Sequence, residues 1–247
     1  VSVINTSTNM VVATVPVGSS PYGVAVTPNG SSVYVTNYNS ITVSVINTST
    51  NTVAATVLVG SSPYGVAVTP DGTRVYVVNN NGGTVSVIDT STNMVVGTVT
   101  VGNFPIGVAV TPDSYLVYVT NSYDDTVSVI DNAAQAVVAT VPVGTSPWGV
   151  AVKPDESSVY VSNADADTVA VIDPNTNTVV ATVPVGGFPH GVAVTPNGSS
   201  VYVANEGIGT VSVIDTSTNA VVATVFVQSE PVALGNFIGT VPLCASR

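Results

Sequence analysis

The chain has 247 residues and only one histidine, His190, one cysteine, Cys244, and one tryptophan, Trp148. A Ser–His–Asp triad would have to use His190, and no G-x-S-x-G elbow is present to serve it. Zinc held by His and Cys needs more than one of each. The glycine pair in "NNGGT" (80–84) reads as a turn and not as a phosphate-cradling loop. Carboxylates are the remaining reactive groups. Asp125 and Asp165 could share acid–base work if the fold brought them together. "NADAD" (163–167) sets Asn163, Asp165 and Asp167 at alternate positions, oxygens of the kind Ca²⁺ takes. It lacks the glycine and the distal glutamate of a calcium loop, so a solvated acidic patch is the favoured reading, and no cofactor is expected.

These residues sit on a strict repeat. "VSVIN" or its variants "VSVID" and "VAVID" begin at 1, 43, 85, 127, 169 and 211, a period of 42. Each unit carries four short segments rich in Val, Ile, Tyr and Thr, which suit a packed pleated surface. They are "YGVAVT" (22–27), "SVYVTN" (32–37), "VSVIN" (43–47) and "VVATVPV" (137–143). "TPNG" and "TPDG" supply tight turns between the first and second segments, and "NTSTN" and "DTSTN" between the third and fourth. No stretch has the 3.6 period of a helix. Four strands per unit of this length predict propeller blades.

"VYVTN", "TVSVIDTSTN", "VVATVPVG" and the P-x-G-V-A-V-T-P-D-G pattern resemble the YVTN β-propeller repeat family of bacterial and archaeal extracellular and surface-layer proteins. The resemblance covers residues 1–227 and fades over the last twenty. It implies a propeller in a secreted or cell-surface setting, and no single activity. Seven blades are common in that family. Here the chain starts at a third strand, and six units of 42 make 252, five more than the chain holds, the length of the 38–42 loop. The expected fold is therefore all-β: one six-bladed propeller domain over 1–247, four antiparallel strands per blade, closed by a clasp of N-terminal outer and C-terminal inner strands. In that clasp Val232 falls where Tyr22 sits, and Leu243, Cys244 and Ala245 where Val33, Tyr34 and Val35 sit. Gly235, Asn236 and Phe237 mark a bend or bulge there. Cys244, in a strand slot, reads as a small buried hydrophobe.

Composition narrows the partners. Arg74, Lys153 and Arg247 are the only cations against fourteen acids, a net charge of −11. A chain with three cations cannot neutralise several phosphates, which excludes nucleic acid and anionic membrane surfaces. No apolar run reaches the ~18–20 residues of a spanning helix. Low charge and the resemblance favour export. Sequons at Asn5, Asn29, Asn47 and Asn197 fall on turns.

Variation between units is confined to two loops, expected on one face. The residue between the repeated Pro and Gly changes through Tyr22, Tyr64, Ile106, Trp148, His190 and Val232. Phe104 and Phe188 precede two of the prolines. The expected contact surface is this channel mouth: Tyr22, Tyr64, Phe104, Ile106, Trp148, Phe188 and His190, set to stack on a glycan, peptide or protein partner. The function expected is a non-catalytic recognition or scaffold module, monomeric as a domain. A surface-layer or adhesin repeat without a small ligand is an alternative, and would have the ring filled. A lyase or hydrolase around His190 is another. It would need His190 within reach of a carboxylate and a cavity beside it.

Overall fold

A computed structural model of the chain describes residues 1–232. Six antiparallel sheets follow the 42-residue period. The first has two strands, β1 (Ser2–Asn5) and β2 (Met10–Thr14). The other five have four strands each, hydrogen-bonded in chain order. They are β3 (Pro21–Val26), β4 (Ser32–Asn37), β5 (Thr42–Asn47) and β6 (Thr52–Leu58); then β7 (Pro63–Val68), β8 (Arg74–Asn79), β9 (Thr84–Asp89) and β10 (Met94–Thr100). Next come β11 (Pro105–Val110), β12 (Leu116–Asn121), β13 (Thr126–Asp131) and β14 (Ala136–Pro142), followed by β15 (Pro147–Val152), β16 (Val159–Asn163), β17 (Thr168–Asp173) and β18 (Thr178–Pro184). The last sheet is β19 (Pro189–Val194), β20 (Ser200–Asn205), β21 (Thr210–Asp215) and β22 (Ala220–Phe226). This is a six-bladed β-propeller. The N-terminal pair takes the outer position of the sixth blade. The C-terminal half of the expected clasp, with Cys244 and the Gly235–Asn236–Phe237 irregularity, lies outside the described residues. Four of the second-to-third loops make one turn of 3₁₀ helix (Tyr38–Ser40, Asn80–Gly82, Ala164–Ala166, Glu206–Ile208).

Valines and isoleucines of the two middle strands fill the space between adjacent blades; Val127, Val129 and Tyr118, for example, pack on Val159, Val161 and Ile172. Both faces of those strands are covered, which is why they read as near-continuous apolar runs. Tyr34 and Tyr160, buried tyrosines of the "VYV" segments, hydrogen-bond to the next blade. Tyr34 Oη donates to Asn93 Oδ1 at 2.8 Å, and Tyr160 Oη to Asn219 Oδ1 at 3.3 Å. Asn93 and Asn219 close the outer turns with left-handed backbone (φ 54° and 52°), a conformation asparagine tolerates well. Tyr118 Oη is buried with no partner among the described residues, and so is Oδ1 of Asn177, the asparagine at the matching place. Burial pushes the Tyr118 hydroxyl up to about 12. Tyr34→Phe should therefore cost about 1 kcal/mol in equilibrium unfolding, and Tyr118→Phe less than about 0.5 kcal/mol. Equal losses in the two variants would contradict this.

The acids are largely turn chemistry. Asp89 Oδ1 accepts from the Ser91 and Thr92 amides, and Asp215 Oδ1 from those of Ser217 and Thr218. The four sequon asparagines do the same: Asn5, Asn29, Asn47 and Asn197 each accept the amide two residues on. Each sequon is thus also a hydrogen-bonded Asx turn.

Candidate functional site

The residue between Pro and Gly occupies a β-bulge. In the third complete blade Pro105 pairs with Asn121 and Val108 with Val119, which leaves Ile106 and Gly107 opposite the single residue Thr120. The same shift recurs on β3, β7, β15 and β19. A bulge frees one residue from the ladder and re-aims its side chain. Here it turns the variable residue over the channel mouth.

The amide lost from the ladder finds a hydroxyl. Gly107 N donates to Thr120 Oγ1 (2.8 Å), and that hydroxyl donates to the Trp148 carbonyl of the next blade (2.8 Å). Gly23, Thr36 and the Tyr64 carbonyl repeat the relay, as do Gly149, Ser162 and the His190 carbonyl. Val78 and Ala204 replace the hydroxyl in the other two blades. The fourth-to-first loop is tied to the second-to-third loop of its own blade: the amides of Tyr38, Asn80, Ser122, Ala164 and Glu206 donate to the carbonyls of Ser20, Ser62, Phe104, Ser146 and Phe188. Both variable loops therefore share one face, as the sequence predicts.

Across that face runs a chain of aromatic contacts. Tyr22 lies 4.0 Å from Tyr64, Tyr64 6.3 Å from Trp148 and edge-on to it, and Trp148 stacks on His190 at 4.1 Å with planes 13° apart. Phe188 is 4.9 Å from His190. Tyr64, Ile106 and His190 are buried and Trp148 is partly so, which makes them the plug of the channel; at these four positions the ring is filled, as the surface-layer alternative expects, and only the rim stays open for contact. Below them a cavity of ≈ 40 Å³ is lined by Gly65, Gly107, Gly149 and Gly191 with Val66 and Val108. That is room for a few waters and far below the ~300 Å³ of a ligand pocket. Tyr22, Phe104 and Phe188 are exposed on the rim. Two exposed residues that the sequence reading passed over join them: Tyr123, 5.7 Å from Phe104, and Ile208, in the loop following Phe188's blade partner strand. An apolar residue inside the otherwise polar loops "SYDDT" and "EGIGT" was the available signal. Between the second and third complete blades a shallow groove of ≈ 310 Å³ is lined by Thr100, Gly102, Asn121, Asp124, Thr126 and Thr140.

His190 Nδ1 lies 2.7 Å from Glu206 Oε2, a close polar contact without hydrogen-bond alignment, and Nε2 is buried with no partner among the described residues. Burial pushes the imidazole below its ordinary 6.5, and the Glu206 carboxylate pulls it partly back. The folded protein then binds fewer protons than the unfolded chain, so this contribution to stability is complete above about pH 6.5 and shrinks as the pH falls below it. Asp89 and Asp215, held below their ordinary 3.8 by turn hydrogen bonds, lose theirs only in stronger acid. His190→Gln should flatten the midpoint-versus-pH curve just below about pH 6.5 and leave the strongly acid limb unchanged. An unaltered curve would show that His190 is not the group titrating there.

The acidic loops are braced rather than convergent. Asp125 Oδ1 accepts the Ser146 amide (2.9 Å) and Asp167 Oδ1 the Phe188 amide (2.8 Å), while Asp124 takes the Asn103 amide and side chain. Asp165 is exposed and Asn163 fully buried, its Nδ2 donating to Thr168 Oγ1. The structure does not gather Asn163, Asp165 and Asp167 into one donor set. Among the described residues no three of His, Cys, Asp and Glu cluster to hold a metal. Arg74 binds Asn132 and Lys153 pairs with Asp155 at 2.9 Å, both at the tight-turn end of their blades. Among the described residues the mouth face carries carboxylates and no Lys or Arg.

The fold and this face define a β-propeller with a plugged channel and an aromatic, acidic rim. A family model described as a YNCE-like beta-propeller matches residues 106–185. Many solved structures share the fold, two of them as follows. One, a functionally unknown protein from Desulfotomaculum acetoxidans, is 23% identical with a TM-score of 0.78, the match covering 91% of this chain and 74% of that one. The other, from Kuenenia stuttgartiensis hydrazine synthase, is 19% identical with a TM-score of 0.67, covering 88% of this chain and 90% of that one. At these identities the likeness shows the fold alone. No curated protein sequence matches the chain.

Proposed function

We propose that this protein is a YVTN-type propeller serving as a non-catalytic recognition module, secreted or held at the cell surface, that binds a glycan, peptide or protein on the rim of its channel mouth. One observation carries the reading. Phe104 and Phe188 occupy a left-handed backbone position (φ 49° and 54°) with 48% and 39% of their surface exposed. Ser20, Ser62 and Ser146 fill the same left-handed position in other blades. The fold is satisfied by serine there. A bulky ring at φ > 0 is unfavourable and gains little burial, so its use lies in what it contacts outside. Tyr123 beside Phe104, and the polar groove reaching Asp124, extend that surface with hydroxyls, an amide and a carboxylate suited to hydrogen bonding.

A second reading, a lyase or hydrolase centred on His190, is supported by the 2.7 Å approach of Glu206. It ranks second because the imidazole is 5% exposed, lies under Trp148, and adjoins a cavity too small for a substrate.

The test is a glycan- and peptide-array screen of wild type beside a Phe104→Ser, Phe188→Ser variant. These substitutions use a residue the fold already accepts, so folding should persist and can be checked by circular dichroism. Binding lost in the folded variant supports rim recognition. Binding retained in the variant places recognition away from these two rings, and none by wild type favours a scaffold role.

A further inference from the structure

Four residues set the junction between the second and third complete blades apart from the other blade junctions. Thr100, at the mouth end of β10, stands where other units carry Pro16, Leu58, Pro142, Pro184 and Phe226. Asp124, which lines the same groove from the next blade, stands where they carry Ser40, Gly82, Ala166 and Ile208. Tyr123 stands where they carry Asn39, Asn81, Asp165 and Gly207, and Phe104 holds the place of Ser20, Ser62 and Ser146. The loop of Tyr123 and Asp124 is also the one second-to-third loop among the described residues that makes no 3₁₀ turn. At each of these places the fold is satisfied by other residues. What the four share is a location.

Thr100 and Asp124 line the groove of ≈ 310 Å³, to which Thr126 and Thr140 add hydroxyls. Asp124 Oδ2 accepts the Asn103 amide (2.7 Å) and Oδ1 the Asn103 side chain (2.9 Å). Asn103 precedes Phe104 and Asp124 follows Tyr123, so this clamp fixes the carboxylate beside the paired rings. The same two donors hold the Asp124 carboxyl below its ordinary 3.8, which makes it an acceptor at neutral pH with lone pairs to spare. Tyr123 is 78% exposed and gains almost nothing from the fold. A pyranose ring has an apolar C–H face and a rim of hydroxyls that both donate and accept. The face suits a flat aromatic side chain, and the rim suits fixed carboxylate, amide and hydroxyl groups. Threonine walls offer a peptide none of the apolar pockets in which its anchors would be buried. One carboxylate and, among the described residues, no cation in the lining disfavour sialic and uronic acids. We propose that this junction binds an uncharged glycan, with Tyr123 and Phe104 as the stacking platform and Asp124, Thr100 and Thr140 reading its hydroxyls. The site presupposes rim recognition and narrows it to one ligand class and one blade junction.

Ligand-observed NMR titration of the whole chain with maltotriose, cellotriose, mannotriose and triacetylchitotriose, and with sialyllactose as the anionic probe, tests the site. At least one uncharged trisaccharide is expected to bind saturably, and sialyllactose about tenfold or more weakly. Tyr123→Asn and Asp124→Ser should each weaken that binding by about tenfold or more. Both use residues the repeat already carries in this loop, and Ser40 Oγ already accepts the matching amide, from Ser19, at 2.6 Å, so thermal midpoints should hold. Asp165→Asn removes a carboxylate from the same face one blade on and should change affinity by less than about twofold. The glycan site is overturned if none of the four sugars binds, if sialyllactose binds as tightly, or if either site variant keeps wild-type affinity. An equal loss in Asp165→Asn would overturn it too, by showing a general charge effect. A peptide-array partner that is lost in Phe104→Ser, Phe188→Ser, beside no sugar binding, would sink the glycan site and leave rim recognition standing. No binding on either array would sink both.

Discussion

Gly107→Ala is expected to destabilise the propeller by about 3 kcal/mol or more, lowering the thermal midpoint by about 6–12 °C. A Cβ built on Gly107 comes within 2.4 Å of the Trp148 carbonyl oxygen of the next blade. That atom is strand backbone, held by Thr120 Oγ1, and it cannot swing aside as a flexible side chain would. The adjoining inner strands would have to separate, which opens the relay and loosens the plug above it. Gly72 provides the contrast. It has φ 73°, and a Cβ there meets nothing nearer than 3.5 Å, so Gly72→Ala carries only the left-handed penalty of about 1–2 kcal/mol. Thermal unfolding of the two variants side by side checks the account. A Gly107→Ala protein as stable as Gly72→Ala would refute close approach as the reason for the glycine.

Asn121→Ala should cost a comparable ~3 kcal/mol. The asparagine of the "TN" motif is fully buried. Its Nδ2 donates to Thr126 Oγ1 (3.0 Å) and Ser128 Oγ (2.9 Å), and its Oδ1 accepts the Gly102 amide (3.1 Å). Truncation leaves that half-buried amide and two hydroxyls short of a partner, which costs more than the net worth of the bonds. Asn163 occupies the same place in a blade where Ala170 replaces the serine. It keeps one of the three bonds, to Thr168, and its Oδ1 has no partner among the described residues. Asn163→Ala should therefore cost about half as much or less, read from urea midpoints at unchanged slope. Equal costs would place the role of this asparagine elsewhere.

The strands, the turns and the blade number are legible in the sequence, because period and turn chemistry are local. Most strand ends fall within one residue of expectation; β3 starts at Pro21 and not Tyr22, β5 at Thr42 and not Val43. The bulge at Pro-x-Gly was not legible, since the segment reads as plain strand and only pairing to β4 or β12 exposes the extra residue. The seven mouth residues were gathered on one face, yet sequence could not tell plug from rim. Tyr22 and Tyr64 occupy near-identical sequence contexts, and one is exposed while the other is buried, a difference that no local residue pattern carries. The contact between His190 and Glu206 was likewise out of reach, since it depends on how two loops of one blade are tied together.

The hydroxyl relay grips the backbone carbonyls of Tyr64, Trp148 and His190 and leaves their side chains out of the bond. Ring cohesion is thereby insulated from the identity of those side chains. Exchange of the side chain between Pro and Gly leaves that inter-blade bond in place. Near-identical units also favour recombination among themselves. A contact face built this way can be rewritten one blade at a time, by point change or by exchange between units, while the scaffold that presents it stays the same.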